Sequence, residues 1–184
     1  ARGEPIVASR ASEKKGAGLS ATIGWDIGGA HLKAARAENG RIVAAAQAAT
    51  PLWQGLDSLD AAFAELSGRL GAADAHGVTM TGELCDAFAS RGEGVAGLAA
   101  IAASHLPAPR LYAGAAGFVG IEEAAEHAAR IASANWRASA EATALKVPDA
   151  LCIDIGSTTT DLIPFVGGRV DAMGSDQGWR RAAG

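Results

Sequence analysis

Cysteine, aromatic rings and positive charge are all scarce in this chain, and each scarcity closes off a class of answer. Its 184 residues include two cysteines, Cys85 and Cys152, at no spacing that suits a metal. They make neither a zinc site nor a disulfide framework, and nothing points to an oxidising compartment. Cys152 stands in an apolar run and reads as a buried small residue. Aromatics supply only 5% of the chain, so a core must be built from Ala, Leu, Ile and Val; at 49% apolar residues, there are enough of them. The net charge is −4. That excludes a general nucleic-acid binder, whose affinity would rest on Lys and Arg contacts to phosphates. His76, His105 and His127 are scattered and make no metal set, and no nucleophile elbow of the hydrolase type is present. No apolar run reaches the roughly 18 residues of a membrane helix. The first twenty residues are polar and small, without the apolar stretch of a secretory signal. A soluble cytoplasmic protein is expected, with residues 1–20 as a flexible leader and no membrane or nucleic-acid partner.

What the chain does have is a phrase used twice. Trp25-Asp26-Ile27-Gly28-Gly29-Ala30-His31-Leu32-Lys33 is echoed by Ile153-Asp154-Ile155-Gly156-Ser157-Thr158-Thr159-Thr160-Asp161-Leu162. Each copy is an apolar strand that delivers a carboxylate into a small-residue turn, followed by a returning strand. Glycines let phosphate oxygens approach backbone N–H groups. A carboxylate at the strand end can hold Mg²⁺, which often binds through one or two carboxylates plus substrate phosphates. Lys33 adds a point charge, and Thr158, Thr159 and Thr160 add hydroxyl donors.

Around these motifs the pattern gives three strands (Thr22–Asp26, Leu32–Ala37, Arg41–Gln47), with Asn39-Gly40 as a hairpin turn. Leu56, Leu59, Phe63, Leu66 and Leu70 recur at helical spacing, so Asp57–Leu70 is a helix capped by Asp57 and stopped by Gly71. A strand over His76–Thr81 follows, then short helices over Leu84–Ser90 and Gly94–His105. A strand over Arg110–Tyr112 precedes one long Ala-rich helix over Ile121–Leu145, broken near Trp136. Leu151–Asp154, Thr160–Val166 and Arg169–Ala172 then repeat the opening. The expected fold is α/β: a ribonuclease-H-like lobe over 21–148, with three antiparallel strands extended by parallel strands and helices on both faces. Residues 149–184 would open a second such lobe, which needs on the order of 100 further residues to complete.

The paired hairpins resemble the two phosphate motifs of the acetate and sugar kinase/Hsp70/actin superfamily, and within it the hydantoinase/oxoprolinase family. Gly24–Ala35, Thr79–Val95, Ala134–Ala138 and Cys152–Leu162 resemble, more narrowly, its tetrahydromethanopterin-linked one-carbon-transfer branch, related to the furan-methanamine synthases of methanofuran biosynthesis. The resemblance covers roughly residues 22–175. It implies a Mg²⁺-dependent synthase that joins an aminomethylfuran diphosphate to a tyramine-type phenol and releases pyrophosphate. Asp26 and Asp154 would then hold Mg²⁺ and serve catalysis, with Glu83 as the base for the phenol proton. Gly28, Gly29, Lys33, Gly156, Ser157, Thr158 and Thr159 would grip phosphate, and Asn135 and Trp136 would line the acceptor pocket. A helix-packing role for Trp136 and a helix-dipole role for Glu83 stand as alternatives. Arg91 and Glu93 are read either as a mutual pair near the cleft or as solvated side chains. Use of ATP stays open, because the superfamily's adenosine-binding segment should come well after Asp161. An ATP-dependent hydrolase or small-molecule kinase, and a non-catalytic nucleotide-sensing lobe, are the competing readings. Homo-oligomerisation is left open.

Overall fold

The computed structural model describes residues 20–155 and 160–171. Alternation of apolar and small residues makes Ala21–Ile27 (β1) a half-buried strand, with Ile23, Trp25 and Ile27 buried on one face and Thr22 and Gly24 exposed on the other. It pairs antiparallel with His31–Glu38 (β2), which pairs antiparallel with Arg41–Ala49 (β3). Asn39 and Gly40 both take positive φ, as a two-residue hairpin turn requires. Beyond β1 come Ala75–Met80 (β4) and Arg110–Tyr112 (β5), both parallel, and the short antiparallel Phe118–Val119 (β6). The sheet order is β3-β2-β1-β4-β5-β6, the ribonuclease-H-like arrangement expected from the sequence.

Parallel neighbours need crossovers. Asp57–Leu70 (α1) and Arg91–His105 (α2) supply them and pack on the face that buries Ile23, Trp25 and Ile27. The stripe Leu59, Phe63, Leu66 and Leu70 is buried as its spacing predicts, and the Phe63 ring lies 5.2 Å from that of Trp25. Each such side chain contributes about 1.5–3 kcal/mol by burial. Trp25 Nε1 donates to His76 Nδ1 at 3.1 Å, so the one polar edge of this aromatic pair is satisfied inside the core.

Three expectations are corrected. Asp57 lies within the first turn of α1 rather than capping it; Leu56 holds the cap position, without a side-chain hydrogen bond. No helix forms over Leu84–Ser90. Only a 3₁₀ turn spans Gly82–Leu84, and Ser90 instead caps α2, its Oγ accepting from the Glu93 N–H at 3.2 Å, so α2 begins three residues earlier than expected. The long helix over Ile121–Leu145 is divided into a 3₁₀ turn at Ile121–Glu123, a short Ala128–Ile131 (α3) and Asn135–Ala144 (α4). The break between α3 and α4 falls at Ala132–Ala134. There Ala132 bridges to Met80, and Ser133 takes a left-handed φ of 54°.

Ala150–Ile155 (β7), Thr160–Val166 (β8) and Arg169–Val170 (β9) form a separate antiparallel sheet. Its inner face buries Ile163 and Phe165 against Ala140 and Ala144 of α4, with Cys152 and Trp136 half-buried beside them. Its outer face, with Leu151, Ile153, Ile155, Leu162 and Val166, is exposed. No helix among the described residues is long and apolar enough to cross a membrane.

Candidate functional site

The first glycine turn is built at the end of β1. Asp26 stands on the sheet face away from Trp25, in register with Lys33 of β2 and Thr79 of β4. Its Oδ2 lies 3.4 Å from Lys33 Nζ, and its Oδ1 accepts from Thr79 Oγ1 at 3.2 Å. The carboxylate is a quarter exposed and the ammonium more than half, so the pair is held loosely and opens to solvent. The Gly28 N–H donates to the His31 carbonyl at 3.0 Å. A Cβ at Gly28 would stand 3.0 Å from that same oxygen, which is why the turn needs glycine there. The loop after β3 pins the turn from outside: the Thr50 and Leu52 N–H groups donate to the Ala30 and Gly29 carbonyls at 2.8 and 3.0 Å. Thr50 is fully buried, and its hydroxyl has no hydrogen-bond partner among the described residues.

The second part of the site lies at the end of the neighbouring strand, β4. Glu83 is buried under α2, with its side chain wholly shielded from solvent. Its Oε1 accepts from Ser133 Oγ at 2.8 Å and lies 3.6 Å from the Arg91 guanidinium, which also donates to Ser133 Oγ at 3.0 Å. Its Oε2 has no partner. A buried carboxylate oxygen left without a donor costs free energy. Arg91 thus reaches Glu83, a partner that neither of the two sequence readings, a pair with Glu93 or a solvated side chain, contained. The backbones can meet this closely because Gly94 has no side chain; a Cβ there would fall 2.8 Å from the Glu83 backbone.

A cleft of roughly 130 Å³ opens beside this group. Arg91, Ser133, Arg130, Arg137, Trp136 and Gly114 are among the residues that line it. Arg137 Nε donates to Glu141 Oε1 at 2.8 Å, and Tyr112 OH donates to Glu141 Oε2 at 2.6 Å. Burial, aided by the hydrogen bond to Glu141 and its charge, raises the Tyr112 pKa far above its ordinary value. The Arg137 pKa is also raised: burial opposes this, and the bond and charge of Glu141 outweigh it. Asn135 does not line this cleft; its Oδ1 accepts from the Trp136 N–H at 2.8 Å at the start of α4. Trp136 both lines the cleft and packs on the second apolar cluster.

Of the sequence-expected residues, Asp26, Gly28, Gly29 and Lys33 gather at the first turn, while Glu83 and Trp136 lie near the Arg91–Ser133 contact. Asp154 occupies β7, its backbone opposite Asp161. Gly156, Ser157, Thr158 and Thr159 fall outside the described residues. Among the described residues no three His, Cys, Asp or Glu side chains meet as a metal set. Asp26 nonetheless offers one carboxylate at a strand end, which fits a Mg²⁺ ion that arrives with a phosphorylated substrate. Sequence reasoning missed Ser133, Arg130 and Arg137. The seven-residue spacing of the two arginines was a weak signal, and the helix break between them hid it.

The hydantoinase/oxoprolinase family model matches residues 74–177. A "(4-{4-[2-(gamma-L-glutamylamino)ethyl]phenoxymethyl}furan-2-yl)methanamine synthase" of Methanocaldococcus jannaschii is 30% identical over 145 residues, which is 78% of this chain and 43% of that protein. The chain thus spans less than half the length of this relative. The crystal structure of ethanolamine utilization protein EutJ from Carboxydothermus hydrogenoformans is a distant likeness: TM-score 0.48, 15% identity, 85% of this chain and 51% of that one.

Proposed function

The chain belongs to the hydantoinase/oxoprolinase family, and on that premise we propose that it carries the first lobe of a Mg²⁺-dependent synthase in methanofuran-type cofactor biosynthesis. The reaction joins an aminomethylfuran diphosphate to a tyramine-type phenol. As the name of the Methanocaldococcus relative indicates for its own product, that phenol bears a γ-glutamyl tail. The bond from the furanylmethyl carbon to the diphosphate oxygen breaks, and its electron pair leaves with pyrophosphate. The phenol oxygen forms the new C–O bond and gives up its proton.

One observation supports this reading above the others. Segments far apart in sequence come together at the carboxyl ends of the parallel strands, where open α/β sheets bind ligands. The Gly28 turn follows β1; Glu83 follows β4; Ser133 is adjacent to Ala132, which bridges to Met80 at the end of β4. In the proposal, Asp26 would hold Mg²⁺ with Asp154 as second carboxylate, and the ion would neutralise charge on the leaving group. Lys33, loosely paired, turns from Asp26 to phosphate oxygens, and the backbone of Gly28 and Gly29 shapes the cradle. Glu83 takes the phenol proton through Ser133, whose hydroxyl already donates to Glu83 Oε1.

The test is pyrophosphate release by the full-length protein with Mg²⁺, the furan diphosphate and the phenol, beside an ATP control. Release that needs both organic substrates, and falls roughly 100-fold or more in Asp26→Asn, supports the synthase. The family match also favours a second reading, an ATP-dependent hydrolase. Phosphate release from ATP without the furan substrate would select that reading.

A further inference from the structure

We propose that the cleft lined by Arg91, Arg130, Arg137 and Trp136 is an anion subsite that binds the carboxylate of the acceptor molecule; the proposal rests on the synthase reading above. Three arginines line this small cleft. Two carboxylates answer them. Glu83 lies 3.6 Å from Arg91, and Glu141 is shared between Arg137 and the Tyr112 hydroxyl. One positive charge is left over. Arg130 has no ion pair among the described residues, although it stands on the cleft wall.

The cleft's form is set by backbone that ordinary residues avoid. Ser133 holds a φ of 54° and Gly114 one of 57°. A Cβ at Gly114 would meet Arg137 Cδ at 3.5 Å, an ordinary contact, so it is the left-handed φ rather than lack of space that favours glycine there. A non-glycine residue held in the left-handed region is strain that the surroundings must maintain, and such strain gathers at binding sites. Two of the cleft's features choose the ligand. Guanidinium forks match the planar oxygens of a carboxylate, and the Trp136 ring gives an apolar wall beside them. The diphosphate has its own place at the Gly28 turn. A phenol joined to a γ-glutamyl group through its γ-carbon keeps a free α-carboxylate, the anion this cleft would hold.

The experiment measures dissociation constants by calorimetry on the full-length protein with γ-glutamyltyramine, with N-acetyltyramine as the neutral phenol, and with pyrophosphate. Wild type should bind γ-glutamyltyramine about 10-fold or more tighter than N-acetyltyramine, the span of one charged hydrogen bond. Arg130→Gln should erase most of that preference and raise the acceptor KM, while N-acetyltyramine binding, pyrophosphate binding and the diphosphate KM stay unchanged. Arg130→Lys should restore part of it. Equal binding of the two phenols by wild type overturns the proposal. So does an Arg130→Gln variant that weakens both phenols alike, or one that weakens pyrophosphate instead, since the cleft would then serve phosphate. A carboxylate preference without pyrophosphate release would sink the synthase reading alone; turnover without that preference would sink the subsite alone.

Discussion

Two glycines two positions apart in α2, and so on nearly opposite faces of the helix, should respond to alanine with opposite signs. A Cβ at Gly94 would meet the Glu83 Cα and carbonyl oxygen at 2.8 Å and its Cβ at 2.9 Å, against an ordinary contact of 3.4–4 Å. The atoms it meets are mostly backbone and cannot rotate aside. Helix α2 must therefore retreat by roughly half an ångström, carrying Val95, Leu98, Ala99 and Ala102 away from the core. Overpacking of this kind costs about 1–3 kcal/mol. The better helix propensity of alanine returns at most about 1 kcal/mol. Gly94→Ala should thus destabilise the protein by about 1–2 kcal/mol. At Gly92 a Cβ would find only Ser90 Oγ, at 3.9 Å. There the propensity gain is unopposed, and Gly92→Ala should stabilise by about 0.5–1 kcal/mol. Urea unfolding of the full-length protein reads both changes, as midpoint shifts of opposite sign with an unchanged slope. Shifts of the same sign would refute the claim that α2 is seated directly on the Glu83 backbone.

Two other substitutions probe buried polar groups. Burial lowers the His76 pKa below 6.5, so the folded state takes up a proton less readily than the unfolded chain. Its contribution to stability is therefore full above pH 6.5 and is lost as pH falls from there through the lowered folded value. His76→Gln keeps an acceptor for Trp25 Nε1 and should flatten the fall of the urea midpoint below pH 6.5; an unaltered slope would assign the acid sensitivity elsewhere. Glu83→Gln keeps the volume of the side chain and an acceptor for Ser133. It should cost no more than about 1–3 kcal/mol of stability yet slow pyrophosphate release about 100-fold; full activity would reduce Glu83 to a structural partner of Arg91.

The fold was legible wherever one short-range rule governs a whole element. The alternation in β1, the stripe of α1, the Asn39-Gly40 turn and the Gly71 stop each depend on neighbours a few positions away. The errors fell where a local signal served two ends. Ser90 reads equally as the tail of one helix or the cap of the next, and only the packing of α2 against the Gly82–Leu84 turn decides it. The alanine-rich run after Ile121 has helical propensity throughout, and the break at Ala132–Ala134 comes from a bridge to Met80, a strand residue more than 50 positions earlier. No window of sequence contains that contact.

The candidate site divides along the same line. Asp26, Gly28, Gly29 and Lys33 share one hairpin, so their meeting could be read from their spacing. Glu83, Arg91 and Ser133 come from three elements, and nothing in their spacing joins them. The choice of residues at that junction is nonetheless informative. A wholly shielded carboxylate with one unpartnered oxygen is a poor way to stabilise a helix against a sheet. An apolar side chain of similar size would often do as well or better, since desolvating an ion pair can exceed what the pair returns. Gly94 yields helix propensity so that α2 can sit on this group, and Ser133 accepts a strained backbone to reach it. Three separate costs borne at one point, beside a cleft with a surplus arginine, are better explained by a ligand than by the fold.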